Sequence, residues 1–447
     1  MRLDDAARIG SHGPMLGSLL LVAALAAPPV PASPIDDVYE TDVAFALDAL
    51  EETCGGFFKL KEIDWKAVRK EFTKAAKGVK SDEEHCVLLW RLLARLEDGH
   101  VDMQPWTPTP DWSVETKGPG FFLCQVGKRF YIKTAWSTAT DVGLEPGMEV
   151  LTIDELPMKK WLPQRLEEAR DRKSFSTDQH ALFWVLHRGF SKPEGERLKI
   201  EYKDLKGKKR KRTITLTRAS AVPDGPAFVP EGYASLGDSV RWARTENGFG
   251  YIHFRRTKGE VIEELDQALE KLGDVPGIIL DFRGNSGGGC DHDAFEGRFV
   301  PKGHEMPRLA RSPLPSAGAV TYGGPMVVIV DGTVVSAGET TSGMFKEDGR
   351  GYMIGESPTA GMSSQKTWIE LPSGKFKLYV STGSNRSSFN GGRGIEGIGV
   401  PPQELVEFDP EDLANGVDTL IRRAEELLTK FPQKDVRYDP KDYGWGE

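Results

Sequence analysis

Residues 325–340 read PMVVIVDGTVVSAGET. Five large apolar residues, Met326 to Val330, run without a break and stop at Asp331-Gly332. Thr333-Val334-Val335 follows, and then the small residues Ser336-Ala337-Gly338. An unbroken apolar run bounded by turn residues reads as a strand buried on both faces, as in a parallel sheet held between helices. Ser336 with Glu339 three residues later forms a capping-box pattern, so a helix begins near Ser336. Working outward, GFGYIHFRR (248–256) leads into the helix-like EVIEELDQALEKLG (260–273), then GIILDFRG (277–284) and a Gly-rich turn. GYMIGE (351–356), the hairpin KTWIELPSGKFKLYV (366–380) and the helical PEDLANGVDTLIRRAEELL (410–428) follow. Strands alternating with helices predict a mainly parallel α/β sheet over residues 235–431.

The N-terminal half has a different rhythm. Over residues 34–105, Val43, Leu47, Leu50 and Cys54 recur at helical spacing, as do Trp65, Val68 and Phe72. A third helix opens at Ser81-Asp82-Glu83-Glu84 and buries Cys86, Leu89, Leu93 and Leu96. It stops at Asp98-Gly99, with His100 next. These features predict a three-helix bundle. Residues 104–117 are rich in Pro, Thr and Trp and read as a linker. Residues 115–218 read as a β-rich domain, from FFLCQV (121–126), RFYIKTA (129–135) and MEVLTIDEL (148–156) to LKIEY (198–202) and TITLTR (213–218). The basic run Lys206 to Arg212 between the last two reads as a solvated hairpin turn. Residues 432–447 form a tail.

Arg2 and Arg8 precede an apolar stretch, Met15–Ala27, too short to span a bilayer. Small-x-small sites follow at Ala24-Leu25-Ala26 and Val30-Pro31-Ala32. Residues 1–33 therefore read as a secretory signal peptide, and the protein as exported, periplasmic or secreted, without stable membrane insertion. A net charge of −9 argues against nucleic acid as a partner. Four Cys and eight His lack metal-ligand spacing, so neither metal nor cofactor is expected. Cys54 and Cys86 lie on adjacent helices and read either as a disulfide or as buried thiols.

Two places suit chemistry. Asp281-Phe282-Arg283-Gly284-Asn285-Ser286-Gly287-Gly288-Gly289 closes a buried strand with a turn rich in exposed N–H groups, able to hold an oxyanion; its glycine spacing fits neither a dinucleotide nor a phosphate loop. Ser336 at a helix N-terminus suits a nucleophile, with the Ala337 amide as oxyanion donor. Cys290-Asp291-His292-Asp293 reads as a helix cap, because consecutive residues do not converge on one metal.

Taken in order, DFRGNSGG, VVSAGE, IGESPTAG and EGIGVPP resemble the C-terminal-processing and tricorn-core family of serine peptidases, tail-specific proteases included. LEDGH at the end of the helical part is similar to the family's Leu-x-Asp-Gly-His element. GLEPGMEVLTIDELPM resembles its PDZ domain. The resemblance implies a multidomain α/β protein: N-terminal helical bundle, PDZ-like β-rich domain, and a crotonase/ClpP-like serine peptidase core. It implies Ser336 as nucleophile and the amides of Ala337 and of Gly287 or Gly288 as oxyanion hole. Where many members carry a catalytic Lys, this chain has Met362, whose thioether cannot take a proton; Lys366 is four residues away. The tricorn-like branch instead implies His100 as general base and Glu396 as its orienting carboxylate. Gly118, Gly120 and Phe121, in GPGF, resemble a PDZ carboxylate-binding loop for substrate C-termini. The expected function is serine endopeptidase on polypeptide substrates. The alternative is a catalytically silent protein of the same fold that binds peptides or apolar ligands. A third reading, an acyl-CoA enzyme of crotonase type, fits the fold but not the signal peptide.

Overall fold

The computed structural model describes residues 35–105, 116–217, 223–308, 311–384 and 389–431. The signal-like residues 1–33 and the tail 432–447 lie outside the described residues, as does most of the stretch read as the first linker.

Helices α1 (Ile35–Phe58), α2 (Trp65–Ala76) and α3 (Asp82–Ala94) open the chain. Asp64 caps α2 by accepting from Ala67 N–H, and Ser81 caps α3 by accepting from Glu84 N–H. Asp82, Glu83 and Glu84 sit in the first turn of α3, where carboxylates complement the helix dipole. The apolar faces expected from the spacing meet in one cluster. That cluster also takes in Leu371, Phe376, Leu378 and Val380, so the helices share their core with the distant hairpin 364–384. The strand β1 (Asp102–Gln104) joins the same hairpin, with Met103 opposite Leu378. No disulfide links Cys54 and Cys86: both thiols are buried, and Cys54 Sγ donates to Ser381 O at 3.4 Å.

Residues 116–217 build an antiparallel sheet, in spatial order β2 (Phe121–Val126), β3 (Arg129–Ala135), β4 (Glu149–Ile153), β5 (Arg197–Lys203) and β6 (Lys209–Thr215). Helices α4 (Met158–Arg172) and α5 (Asp178–Arg188) cover it through Met158, Trp161, Leu162, Ala169, Ala181 and Val185. α4 was not expected from sequence. Its Pro163 and its many charges mask an apolar face at helical spacing.

The remaining residues form a seven-stranded sheet in the order β7 (Ala234–Ser235), β8 (Val240–Arg244), β9 (Gly250–Phe254), β10 (Ile278–Asp281), β11 (Met326–Val330), β12 (Tyr352–Gly355) and β15 (Glu404–Leu405). β7 and β8 are antiparallel; from β9 onward the strands are parallel, with Ile278 opposite Met326 and Val327 opposite Tyr352. β13 (Ser364–Glu370) and β14 (Lys377–Ser384) make the outlying hairpin. Helices α6 (Val261–Leu272), α7 (His292–Gly297), α8 (Ala337–Glu347) and α9 (Thr419–Lys430) complete the layers. The alternation of the strands decides which layer each side chain enters. Ile278 and Leu280 pack with Leu265 and Leu269 of α6, whereas Ile279 packs with Leu420, Ala424 and Leu428 of α9. Both faces are thus apolar, which is why the strand reads as a continuous hydrophobic run. Each such side chain contributes about 1.5–3 kcal/mol by burial.

One buried cation fixes the β-rich region to this sheet. Lys133 on β3 is 1% exposed, with Nζ 3.3 Å from Glu356 Oε2 and 3.8 Å from Asp331 Oδ2. Those carboxylates stand just beyond β12 and β11, at the strand ends that carry the candidate site.

Candidate active site

β11 ends at Val330, and the next six residues turn back toward the Gly-rich loop. Asp331 Oδ1 accepts from Thr333 N–H at 2.9 Å, and Gly284 N–H donates to Thr333 Oγ1 at 2.8 Å. Val335 N–H donates to Asn285 O at 3.1 Å. The two segments are therefore stitched together before Ser336 is reached.

Ser336 is half-buried, at φ 55° and ψ −126°, in a region that non-glycine residues seldom occupy. Such a conformation costs about 1–3 kcal/mol and persists where the surroundings over-determine it. Here Ser336 N–H is shared between Met362 O at 3.0 Å and Glu339 Oε2 at 3.1 Å. The Glu339 half of the expected capping box is thus present. Glu339 is fully buried and also accepts from Thr359 Oγ1, Gly361 N–H and Met362 N–H. Burial pushes its carboxyl up to about 8, while these donors pull the other way.

Gly287 lies directly against the serine. A Cβ there would sit 2.7 Å from Ser336 Cβ and 3.3 Å from Ser336 Oγ, and φ is 73°. Only glycine permits both this approach and this backbone. Its own N–H is engaged, donating to Asn285 Oδ1 at 2.9 Å. Gly288 is exposed. Ala337 occupies the first turn of α8, where N–H groups have no partner four residues back. Of the three expected oxyanion donors, Gly287 is the one whose amide is spoken for.

His100 comes in from the other end of the chain. The turn after α3 is pinned by serines from the α4–α5 connection: Asp98 N–H donates to Ser174 Oγ at 2.7 Å and Gly99 N–H to Ser176 Oγ at 2.9 Å. A Cβ on Gly99 would lie 2.7 Å from Met362 Sδ. Met362 therefore bridges the Gly99–His100 turn and the Ser336 backbone. The His100 side chain is 10% exposed, and neither ring nitrogen has a hydrogen-bond partner. Burial lowers its pKa to about 4, against the pull of Asp98, whose Oδ1 is 3.7 Å from Nδ1. The ring is thus neutral at physiological pH and free to accept a proton.

Glu396 is fully buried. Oε1 accepts from Lys61 Nζ at 2.8 Å and from Ser176 Oγ at 3.1 Å, and Oε2 from Ser363 N–H at 3.0 Å. Burial, then the charge of Asp98, raises it to about 7; Lys61 opposes both. Asp98, His100 and Glu396 each bring one donor atom to within 4.8 Å of the others. The charges of Lys61 and Lys366 both act on His100, so this cluster suits proton handling rather than a cation. Lys61 and Ser176 were not found from sequence. Nothing in the sequence marks them, because each acts through residues far away in the chain. His180, packed beside Gly99 with Nδ1 buried and unpartnered, was missed for the same reason.

The other expected residues are placed differently. Gly118 and Gly120 are buried, Gly120 O accepts from Trp136 N–H at 2.7 Å, and Phe121 is 1% exposed in the core of the β-rich region beside Phe190. Asp291 caps α7 by accepting from Ala294 N–H, and the neighbouring His292 Nδ1 lies 3.0 Å from Thr341 Oγ1.

Residues 248–406 match the sequence profile of peptidase family S41. The chain is similar to this family over that stretch. Similar proteins include a tricorn protease homolog of Saccharolobus solfataricus, 27% identical over 190 residues, covering 42% of this chain and 17% of the relative. A carboxy-terminal-processing protease of Bartonella bacilliformis is 27% identical over 197 residues, covering 41% and 44%. The chain thus spans less than half the length of these two. A carboxyl-terminal-processing protease of Synechocystis is 23% identical over 387 residues, covering 82% of this chain and 81% of the relative. The crystal structure of mature CPAF superposes with a TM-score of 0.64 at 13% identity, over 88% of this chain and 97% of that one, so the fold is shared across nearly its whole length. The similarity is to peptidases.

The candidate site makes a pH prediction. Lys61 lowers the pKa of both His100 and Glu396. Lys61→Met lets both rise, so at a given acid pH less of His100 is the free base and less of Glu396 is ionised. The acid limb of kcat/KM is expected to move to higher pH, with a loss of roughly tenfold at about pH 6 and a smaller loss at about pH 8. A pH–rate profile on a peptide substrate checks it; an unmoved limb removes Lys61 from the site.

Proposed function

We propose that the chain is an exported serine endopeptidase acting on polypeptides through an acyl-enzyme on Ser336. The observation that carries the reading is the convergence on Ser336. A strained serine at the start of α8 has Gly287 against its Oγ on one side and, through Met362, the turn bearing an unpartnered His100 on the other. In this scheme His100 takes the Ser336 proton as Oγ attacks the scissile carbonyl. It returns that proton to the leaving amine, and water repeats the sequence to release the acid. Asp98 and Glu396 stabilise the imidazolium formed in between. The oxyanion is held by the Ala337 N–H with an amide of the Gly287–Gly288 turn, where the engaged Gly287 N–H favours Gly288. Export rests on the charged and apolar pattern of residues 1–33. The β-rich region is PDZ-like in this reading, with Gly118, Gly120 and Phe121 as its loop for substrate C-termini.

The test compares new peptide termini, identified by mass spectrometry, after incubation of a protein mixture with the wild type and with Ser336→Ala. New termini with the wild type and a loss of at least about 10³-fold in the variant are expected. Equal cleavage by both would overturn the reading. So would failure of a fluorophosphonate to label Ser336, which points to the silent binding protein.

A further inference from the structure

The strongest unexplained feature lies far from Ser336, at the tip of the β5–β6 hairpin. Residues 116–217 carry 21 Lys and Arg against 13 Asp and Glu, a net +8 in a chain whose total is −9. The excess gathers at residues 203–212, KDLKGKKRKR, where Asp204 is the only acid among seven basic residues. Asp204 is spent on the turn itself: Oδ1 accepts from Lys206 N–H and Lys208 N–H, and Oδ2 from Arg210 Nε. Gly207, at φ 75°, closes the turn by donating to Asp204 O at 2.7 Å. The tip is thus a built, rigid object. At its apex Leu205 is 45% exposed, one of six large apolar residues so exposed among the described residues. Lys206, Lys208 and Lys209 surround it, all exposed. β6 is the edge strand of its sheet, and Lys209 to Thr213 are exposed on both of its faces.

A charged edge strand discourages pairing with another chain. That accounts for Lys209 to Arg212 on the ladder. It does not account for an exposed leucine at the apex, nor for Lys206 and Lys208 off the ladder. A convex tip with one apolar residue ringed by lysines matches a flat, anionic, amphiphilic surface: the leucine enters the acyl boundary while the ammonium groups stay at the headgroups. A polypeptide adding to β6 would use the ladder and leave Leu205 in water.

We propose that this hairpin tip docks the protein on an anionic phospholipid bilayer. Attraction falls off within a Debye length, so the tip must make close contact and the binding is salt-sensitive. No described helix is long and apolar enough to cross a membrane, so the docking is peripheral.

The test is co-sedimentation of the full chain with vesicles of phosphatidylcholine, with and without about 30 mol % phosphatidylglycerol, a composition chosen to give a negative surface potential. Wild type and variants carry the same residues 1–33, so any contribution of that segment is common to all. Binding is expected only to the anionic vesicles and is expected to vanish at about 0.5 M salt. The triple variant Lys206→Gln, Lys208→Gln, Lys209→Gln is expected to bind about a hundredfold more weakly, and Leu205→Ser about tenfold more weakly, both with unchanged melting temperature. Equal binding to neutral vesicles, or no loss in the triple variant, overturns the proposal. Binding of poly-glutamate without binding of vesicles also overturns it and assigns the tip to acidic polypeptides.

Discussion

His100→Ala is expected to lower kcat on a peptide substrate by about 10³- to 10⁴-fold, with little change in KM. The magnitude is that of removing the proposed general base of Ser336. The resemblance to C-terminal-processing peptidases implies that Met362 stands where many of them place a lysine, and a thioether takes no proton. Its main chain serves instead as a strut, Met362 O accepting from Ser336 N–H and Met362 N–H donating to Glu339. Lys366 is the competing base. Burial lowers its pKa, against the opposing charges of Asp98 and Glu396, and in the proposed scheme its charge acts on His100 rather than on the Ser336 proton. Lys366→Ala is therefore expected to cost less than about tenfold, through the altered field on His100. The imidazole, by contrast, is driven to its neutral form by burial and has both nitrogens unengaged. Steady-state kinetics of the two alanine variants decide between them. Normal turnover in His100→Ala with collapse in Lys366→Ala would transfer the role of base to the lysine. Collapse in both would mean that the charge of Lys366 is part of the proton-handling cluster.

The alternation of Ile278, Ile279 and Leu280 between two helix layers was legible because strand periodicity is local. The same holds for the helix faces built on Val43, Leu47 and Leu50. Ser336 was legible as a helix cap from four residues, and as a candidate nucleophile only with the distant motifs beside it. The strain on its backbone was not legible, because a positive φ at a serine is imposed by what holds it, here Met362 and Glu339. The surroundings of the GPGF segment were not legible for a related reason. Glycines are chosen wherever a backbone must pass close to something, and the sequence does not say whether that is a ligand or, as at Gly120, the carbonyl of Trp136. The helices before His100 looked self-contained, yet their apolar faces are completed by Leu378 and Val380, some three hundred residues later. Pairings such as Lys61 with Glu396 depend on the whole fold and leave no local mark.

Arg283 shows how much of the site's support is of this hidden kind. In the sequence it is the third residue of a turn whose glycines draw the eye. In the fold it is fully buried, with Nε and Nη2 on Asp281 and Nη1 on Asp418, at distances of 2.6–3.2 Å. Asp281 also accepts from Tyr251 Oη at 2.9 Å. Asp418 caps α9 through Leu420 and Ile421 N–H and accepts from Ala227 N–H at 2.8 Å. One guanidinium therefore joins the end of β10, the start of α9 and the segment entering the sheet region. It does so directly beneath the Gly284–Gly288 turn. Arg283→Met fills the volume but leaves two buried carboxylates without their cation, and is expected to destabilise the protein by about 3–5 kcal/mol. Arg283→Lys is expected to recover less than half of this, because one ammonium cannot reproduce two forked contacts. Activity is expected to fall further than the folded fraction alone requires, since the turn loses its support. Urea unfolding and kcat, measured together on both variants, check this. A loss below about 1 kcal/mol in Arg283→Met would mean that the carboxylates find other partners or take up protons, and that the turn is held by Thr333 and Asn285 instead.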